Sequence, residues 1–369
     1  MLQKKKLLLL SVSQVGYGHT KAADAIHKTA KKDYEKLLSV EHIDLMDFLR
    51  PTTKKIIIKT YDILAKHLPE VWGFLYHTMN QRTGDAILRD IIGLLKGRES
   101  KAFYEAVQKI QPDHILCTHS LPAQLLAISP QKNIPRIPRS CLITDYGLNQ
   151  SWVVEGTARY FVATREIKEE LIQKKVDPRA ITVSGIPIDP VFYEKKSISL
   201  LKKKCGLPNA RRVILVLAGG QGFTNLSRII ERLFQLPDSA TIVAITGKNT
   251  KLFSKRKKMA PPRHIRFLPV QWTNAIDDYM RMASVIITKP GGLTTSECIA
   301  LGKPMVVIDP IPGQEEWNAA YITKHHLGAI AKKPNDILRL AVKPRKIQQK
   351  KRGLPAADSI IKTIINSMV

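Results

Sequence analysis

Two hydrophobic rhythms alternate along the chain. Short unbroken apolar runs, of the kind buried on both faces of a parallel sheet, are followed by segments whose apolar residues return at helical spacing. The stretch "LLLLSVSQVGYGHTKAADAI", residues 7 to 26, shows the hand-over: its leucines read as a strand ending near Ser11 to Ser13, and Ala22, Ala23, Ile26 and Ala30 then follow the helical period. In the first half this pattern predicts strands near Leu7 to Val12, Ser39 to Asp44, His114 to Thr118, Ser140 to Thr144, Tyr160 to Ala163 and Ile181 to Ser184. A second series predicts strands near Val213 to Ala218, Thr241 to Thr246, Ile265 to Leu268, Val285 to Thr288 and Met305 to Asp309, each followed by a turn and a helix. The interval from Leu45 to Pro112 reads mostly helical; in it Leu64, Leu68, Val71, Leu75 and Met79 share a face suited to core packing, with Trp72, Tyr76 and nearby lysines offering a lipid-facing alternative.

Strand and helix in regular alternation specify an α/β fold with parallel sheets covered on both faces. Prolines and lysines break both rhythms in "GIPIDPVFYEKKSISLLKKKCGLP", which reads as a crossing between domains. We therefore expect two tandem doubly wound Rossmann-like domains, residues 1–190 and 191–343, followed by a basic helical tail, 344–369. Ligands of such folds bind outside the carboxyl ends of the strands, so the expected active site is an interdomain cleft.

Composition fits this reading: 369 residues suffice for two domains, and 44% hydrophobic residues for their cores. Charge adds something new. Lys and Arg number 59 against 31 Asp and Glu, a formal net charge of +28, so the surface calls for an anionic partner. Basic clusters at Lys54, Lys55 and Lys59, at Arg136 and Arg139, at Lys202 to Lys204, at Lys255 to Lys258 and at Arg345 to Arg352 are scattered, which favours an anionic membrane surface. With no zinc spacing, ribonucleoprotein motif or basic recognition helix, no nucleic acid is expected. The opening "MLQKKKLLLLSVS" imitates a secretory leader but lacks a clean cleavage site. Cys117, Cys141, Cys205 and Cys298 show no metal or disulfide spacing and read as buried small hydrophobes in a reducing cytoplasm.

Candidate chemistry gathers in the turns after strands. Gly16 and Gly18 let the backbone approach a ligand closely, and His19 stands where strand becomes helix; the glycines could also serve a turn alone. After the first strand of the second series come Gly219, Gly220, Gln221 and Gly222, whose amides suit a diphosphate. In "VIITKPGGLTTSECIALG", Gly291 and Gly292 lead into a helix whose first turn holds Thr294, Thr295 and Ser296, an anion site, with Glu297 suited to ribose hydroxyls or to a capping role. Gln314, Glu315 and Asn318 follow the next strand and suit the hydroxyls of a sugar. Lys248 and Lys289 are candidate cations for a leaving diphosphate. No Asp-x-Asp pair exists to hold a divalent ion on that diphosphate, and no cofactor is expected.

These loops carry a resemblance. "AGGQG", "TKPGGLTTSE" and "PGQEEWNA" resemble the donor-binding half of the glycosyltransferases that include the lipid II-forming enzyme, plant monogalactosyldiacylglycerol synthases and bacterial diacylglycerol glucosyltransferases. "GYGHTKAADAI", "IDLMDFL", "LPEVWGFLYH", "ITDYGLNQSW" and "SGIPIDPVF" resemble the diacylglycerol branch. The resemblance implies a GT-B fold and inverting, metal-independent transfer of a hexose from a UDP-hexose donor to a lipid acceptor. The charge, the lack of a spanning apolar run and the unpaired cysteines lead us to expect an enzyme peripheral on the cytoplasmic, inner face of the cell membrane. The resemblance gives His19 the catalytic loop, Glu297 the uridine ribose, Gly220 and Thr294 to Ser296 the diphosphate, and Gln314, Glu315 and Asn318 the hexose. Asp145 could orient His19 or act as base; Gly16, Gly18, Trp72, Tyr76 and Trp152 fall on the acceptor side. The chain departs from the family pattern beside Trp152, where Asn149 and Val154 replace commonly found histidines. A UDP-sugar epimerase on the same tandem fold, or a different lipid-linked acceptor, stays open.

Overall fold

The computed structural model describes residues 4–14, 16–68, 70–71, 73–74, 93, 97–130, 134–207, 210–219, 226–247, 249–344, 347 and 354–368. They form two compact units, one of residues 1–190, 311–314 and 353–369, the other of 191–310 and 315–352.

The first unit holds β1 (Lys5–Ser11), β2 (Leu38–Asp44), β3 (His114–Cys117), β4 (Arg139–Leu142), β5 (Arg159–Val162) and β6 (Ile181–Val183), all parallel, in the order β2-β1-β3-β4-β5-β6. Side chains alternate across a strand, so the four leucines of β1 divide: Leu8 and Leu10 enter one core, with Phe103, Ile115 and Cys117, and Leu7 and Leu9 enter another, with Ala22, Ala23, Ile26 and Leu116. A strand buried on both faces needs such a run, which is why it reads as four leucines rather than as an alternation.

The second core is completed from the far end of the sequence. Ala357, Ile360, Ile361 and Ile364, on one face of the helix Ala356–Ser367, join it, and the Tyr34 hydroxyl donates to Asp358 Oδ1 at 2.6 Å. The segment read from sequence as a separate tail thus ends as a structural layer of the first unit.

In the second unit β7 (Val213–Leu217), β8 (Ala240–Ile245), β9 (Ile265–Val270), β10 (Val285–Thr288), β11 (Met305–Val307) and β12 (Gly328–Ile330) form a parallel sheet ordered β12-β11-β10-β7-β8-β9. Each sheet has one place where the winding direction reverses, between β1 and β3 in the first and between β7 and β10 in the second. Loops leaving the carboxyl ends on either side of such a reversal diverge and leave a crevice.

Two expectations fail. Arg139 and Arg256, counted among the basic clusters, are buried: Arg139 donates through Nη2 to the Glu155 carbonyl, and Arg256 approaches the Met259 sulfur through Nη1, at 3.5 Å. Leu68 and Val71, read as core, are exposed, together with Ile56, Ile63 and Phe74. They belong to a helical stretch that begins with Pro51–His67, which turns Ile57 and Ile58 toward the first core and leaves these side chains outside it. Leu75, Trp72, Tyr76 and Met79 lie outside the described residues.

Candidate active site

In the first unit the crevice is built on imidazoles. Gly16, at φ 143, lets the chain leave β1 and start the helix Tyr17–Asp33, whose third residue is His19. A Cβ at Gly16 would stand 3.9 Å from His19 Cδ2, so the bare glycine lies against the ring; at Gly18 that space is open. His19 Nδ1 lies 2.8 Å from the Thr118 carbonyl, at the end of β3, and 2.8 Å from the Thr144 hydroxyl, beyond β4. A carbonyl only accepts, so Nδ1 carries the ring proton and Nε2 keeps its lone pair. Burial lowers the pKa of His19, against the charge of Asp145 and the Thr118 bond, which raise it. The ring is therefore neutral at neutral pH. Thr118 and Thr144 orient it, and Asp145 acts on it through charge.

A latch from β2 fixes the helix that carries His19. His42 Nε2 is 2.9 Å from the Ser11 hydroxyl and its Nδ1 is 3.5 Å from Asp24 Oδ1, a contact that holds the Asp24 carboxyl below its ordinary range.

The sequence reading missed the second imidazole. His119, just past β3, caps the helix Ser120–Ala127: its Nδ1 accepts from the Leu121 amide at 3.1 Å. The two rings meet edge to face, centroids 4.6 Å apart, and Trp152 stands 6.4 Å from each. Burial, and then the proximity of His19, keep the His119 pKa well below the usual value. Trp152 is held by a short turn that Asn149 caps by accepting from the Ser151 amide at 2.9 Å. Val154, the other departure from the family pattern, is buried, and its amide donates to the Tyr160 hydroxyl at 3.0 Å. The imidazole beside Trp152 thus comes from the end of β3 rather than from the tryptophan's own loop. Trp72 and Tyr76 lie outside the described residues.

In the second unit the loops after β7 and β10 flank the reversal. Gly219 follows β7 with φ 71, a conformation that favours glycine, and is exposed. Gly220, Gln221, Gly222 and Lys248 lie outside the described residues. After β10 come Lys289, half-buried, and Gly291, the N-cap of the helix Gly292–Leu301. No side chain caps this end, so its first amides stay available to a ligand. Of the three hydroxyl residues in its first turns, Thr294 is the half-exposed one. The Ser296 hydroxyl donates back to the Gly292 carbonyl at 2.9 Å, and Thr295 Oγ1 is buried with no partner among the described residues. Glu297 is half-buried one turn further on. Gln314, which belongs to the first unit, opens the helix Gln314–Lys324 half-buried, while in the second unit Glu315 is nearly buried and Asn318 fully so.

The sequences of known proteins favour a glycosyltransferase over an epimerase. Residues 19–188 match the monogalactosyldiacylglycerol (MGDG) synthase family, and residues 213–363 the glycosyltransferase family 28 C-terminal domain. The processive diacylglycerol beta-glucosyltransferase of Bacillus pumilus is 28% identical over 341 residues, covering 92% of this chain and 86% of that protein. Over most of its length the chain is similar to the diacylglycerol glycosyltransferases. The protein of the same name from Staphylococcus aureus is 29% identical over 341 residues, 92% of this chain and 84% of that one. Among solved structures, this glycosyltransferase shares its fold with MurG of Acinetobacter baumannii, at a TM-score of 0.61, 13% identity and coverage of 98% and 99% of the two chains. It also shares it with the UDP-GlcNAc 2-epimerase of Neisseria meningitidis, at 0.59, 14%, 98% and 100%. At such identities the likeness speaks for the GT-B fold alone, so the epimerase adds no support for an isomerase.

Proposed function

We propose that this glycosyltransferase moves a hexose from a UDP-hexose to the hydroxyl of diacylglycerol or a similar membrane lipid, with inversion and without a divalent ion. One observation carries the reading: His19, at the winding reversal of the first sheet, has Nδ1 held by a carbonyl and presents a neutral Nε2 as a base. The lipid hydroxyl gives its proton to that nitrogen, its oxygen bonds to the anomeric carbon, and the bond from that carbon to UDP breaks with its electron pair leaving on UDP. One displacement from the opposite face inverts the centre. The uncapped start of the helix Gly292–Leu301, Lys289 and the glycines at 219, 220 and 222 meet the charge on the diphosphate. Thr294, Thr295 and Ser296 frame it, and Glu297 accepts from the ribose hydroxyls. Gln314, Glu315 and Asn318 read the hexose.

The acceptor lives in a bilayer, and the helix Pro51–His67 with the residues after it supports docking there. Ile56 is 63% exposed and Phe74 71%, beside exposed Lys55 and Lys59. Among the described residues no helix is long and apolar enough to cross a membrane. Peripheral attachment to an anionic face fits the +28 charge.

Incubating the purified protein with UDP-glucose or UDP-galactose and diacylglycerol vesicles, with mass-spectrometric detection, tests the reading. Glycolipid and free UDP should form together and only when lipid is present, and His19→Ala should lower turnover by roughly two to four orders of magnitude with UDP affinity kept. UDP release without lipid, or a fully active variant, would refute it.

A further inference from the structure

The two imidazoles are wired in opposite senses. His19 points Nδ1–H at a carbonyl, which leaves Nε2 an acceptor. His119 takes a backbone N–H on Nδ1, so its neutral ring carries the proton on Nε2, which leaves that atom a donor. Protonating His119 would aim an N–H at the Leu121 amide and put a cation on a helix start, so the neutral donor form is the stable one. Neither Nε2 has a hydrogen-bond partner among the described residues, and both histidines are half-buried.

One acceptor and one donor on rings 4.6 Å apart, with an indole beside both, match one chemical group: a hydroxyl. Its proton faces the acceptor and one lone pair faces the donor, which leaves the second lone pair for a new bond. We infer that His119 is a second acceptor-binding residue, donating from Nε2 to the very hydroxyl oxygen whose proton His19 receives. The inference rests on the proposed role of His19 as base. No proton leaves His119 during transfer: its N–H stays on the oxygen as negative charge builds there, and fixes the direction of the reacting lone pair. The imidazole supplied from β3 would then do what a histidine on the tryptophan loop could do elsewhere, with Asn149 freed to cap the turn.

Two substitutions separate this role from helix capping. His119→Gln keeps an amide N–H near the place of Nε2 but loses the cap; His119→Asn keeps a capping oxygen, as Asn149 does nearby, but loses the donor. In the full chain, with UDP-glucose and diacylglycerol vesicles, His119→Asn should raise the acceptor KM and lower kcat/KM for the acceptor by about tenfold or more. His119→Gln should recover part of that loss, and calorimetric UDP affinity should be unchanged in both. The reverse order, with His119→Asn near wild type and His119→Gln impaired, would make His119 a cap and overturn the inference. Long-range 15N correlation spectra of the histidine-labelled free enzyme give a readout independent of turnover: His119 should show its proton on Nε2 and His19 on Nδ1. The opposite tautomer at either ring overturns the inference, whereas a wild-type protein that transfers no sugar but shows both tautomers brings down the proposed reaction instead.

Discussion

Acid should weaken the first sheet through one buried ring. His114 opens β3, is 3% exposed, and has Nε2 2.8 Å from the Ser140 hydroxyl on β4. Burial, and after it the Arg159 guanidinium, push its pKa from 6.5 down to about 4. Between those values the unfolded chain binds a proton that the folded chain refuses, so stability falls as pH falls. The contribution is whole above the unfolded value and gone below the folded one. At about 1.4 kcal/mol per pKa unit the full depression corresponds to about 3 kcal/mol, of which about 2 kcal/mol is already lost near pH 5. His114→Gln offers Ser140 a polar partner but has no proton to bind. Urea unfolding at about pH 7.5 and about pH 5, followed by hydrogen exchange in peptides from β3 and β4, should show the wild type losing about 2 kcal/mol more than the variant. Parallel losses in the two proteins would refute the reasoning and place the acid sensitivity elsewhere.

Glu297→Ala should weaken UDP binding by about 1 to 3 kcal/mol, the scale of hydrogen bonds to a charged partner, and unchanged calorimetric affinity would remove Glu297 from the ribose. Sedimentation with anionic vesicles should weaken as salt rises from about 0.1 M to about 1 M, where the Debye length falls from about 10 Å to about 3 Å. Phe74→Ser should remove most of the salt-resistant remainder, and equal binding of the wild type to neutral and anionic vesicles would defeat the charge argument.

Eleven of the twelve strands among the described residues were legible, the central ones such as β1, β7 and β8 because a strand buried on both faces must be an unbroken apolar run. The twelfth, Gly328–Ile330, is three residues long and consists of Gly, Ala and Ile, too little to stand out from a loop. His19 was legible for a local reason, a histidine on a glycine turn between two rhythms. His119 was not, because its importance depends on β1 lying beside β3, and 99 residues separate His19 from its partner Thr118. The same limit hid the burial of Arg139, whose guanidinium fills space left by Gly156: a Cβ there would come within 2.5 Å of Nη2. Leu68 and Val71 misled in the other direction, since apolar residues at helical spacing look alike whether they are buried in a core or exposed.

The helix Ala356–Ser367 sets an order on biosynthesis. The face of the first sheet formed by Leu7, Leu9 and Leu116 is translated well before the residues that complete its cover, Ala357, Ile360, Ile361 and Ile364. All of the second unit is translated in between. Throughout that interval the nascent first unit carries an open greasy face that invites chaperones, neighbouring nascent chains or the membrane itself, and a ribosome stalled before codon 356 releases a protein unable to close it.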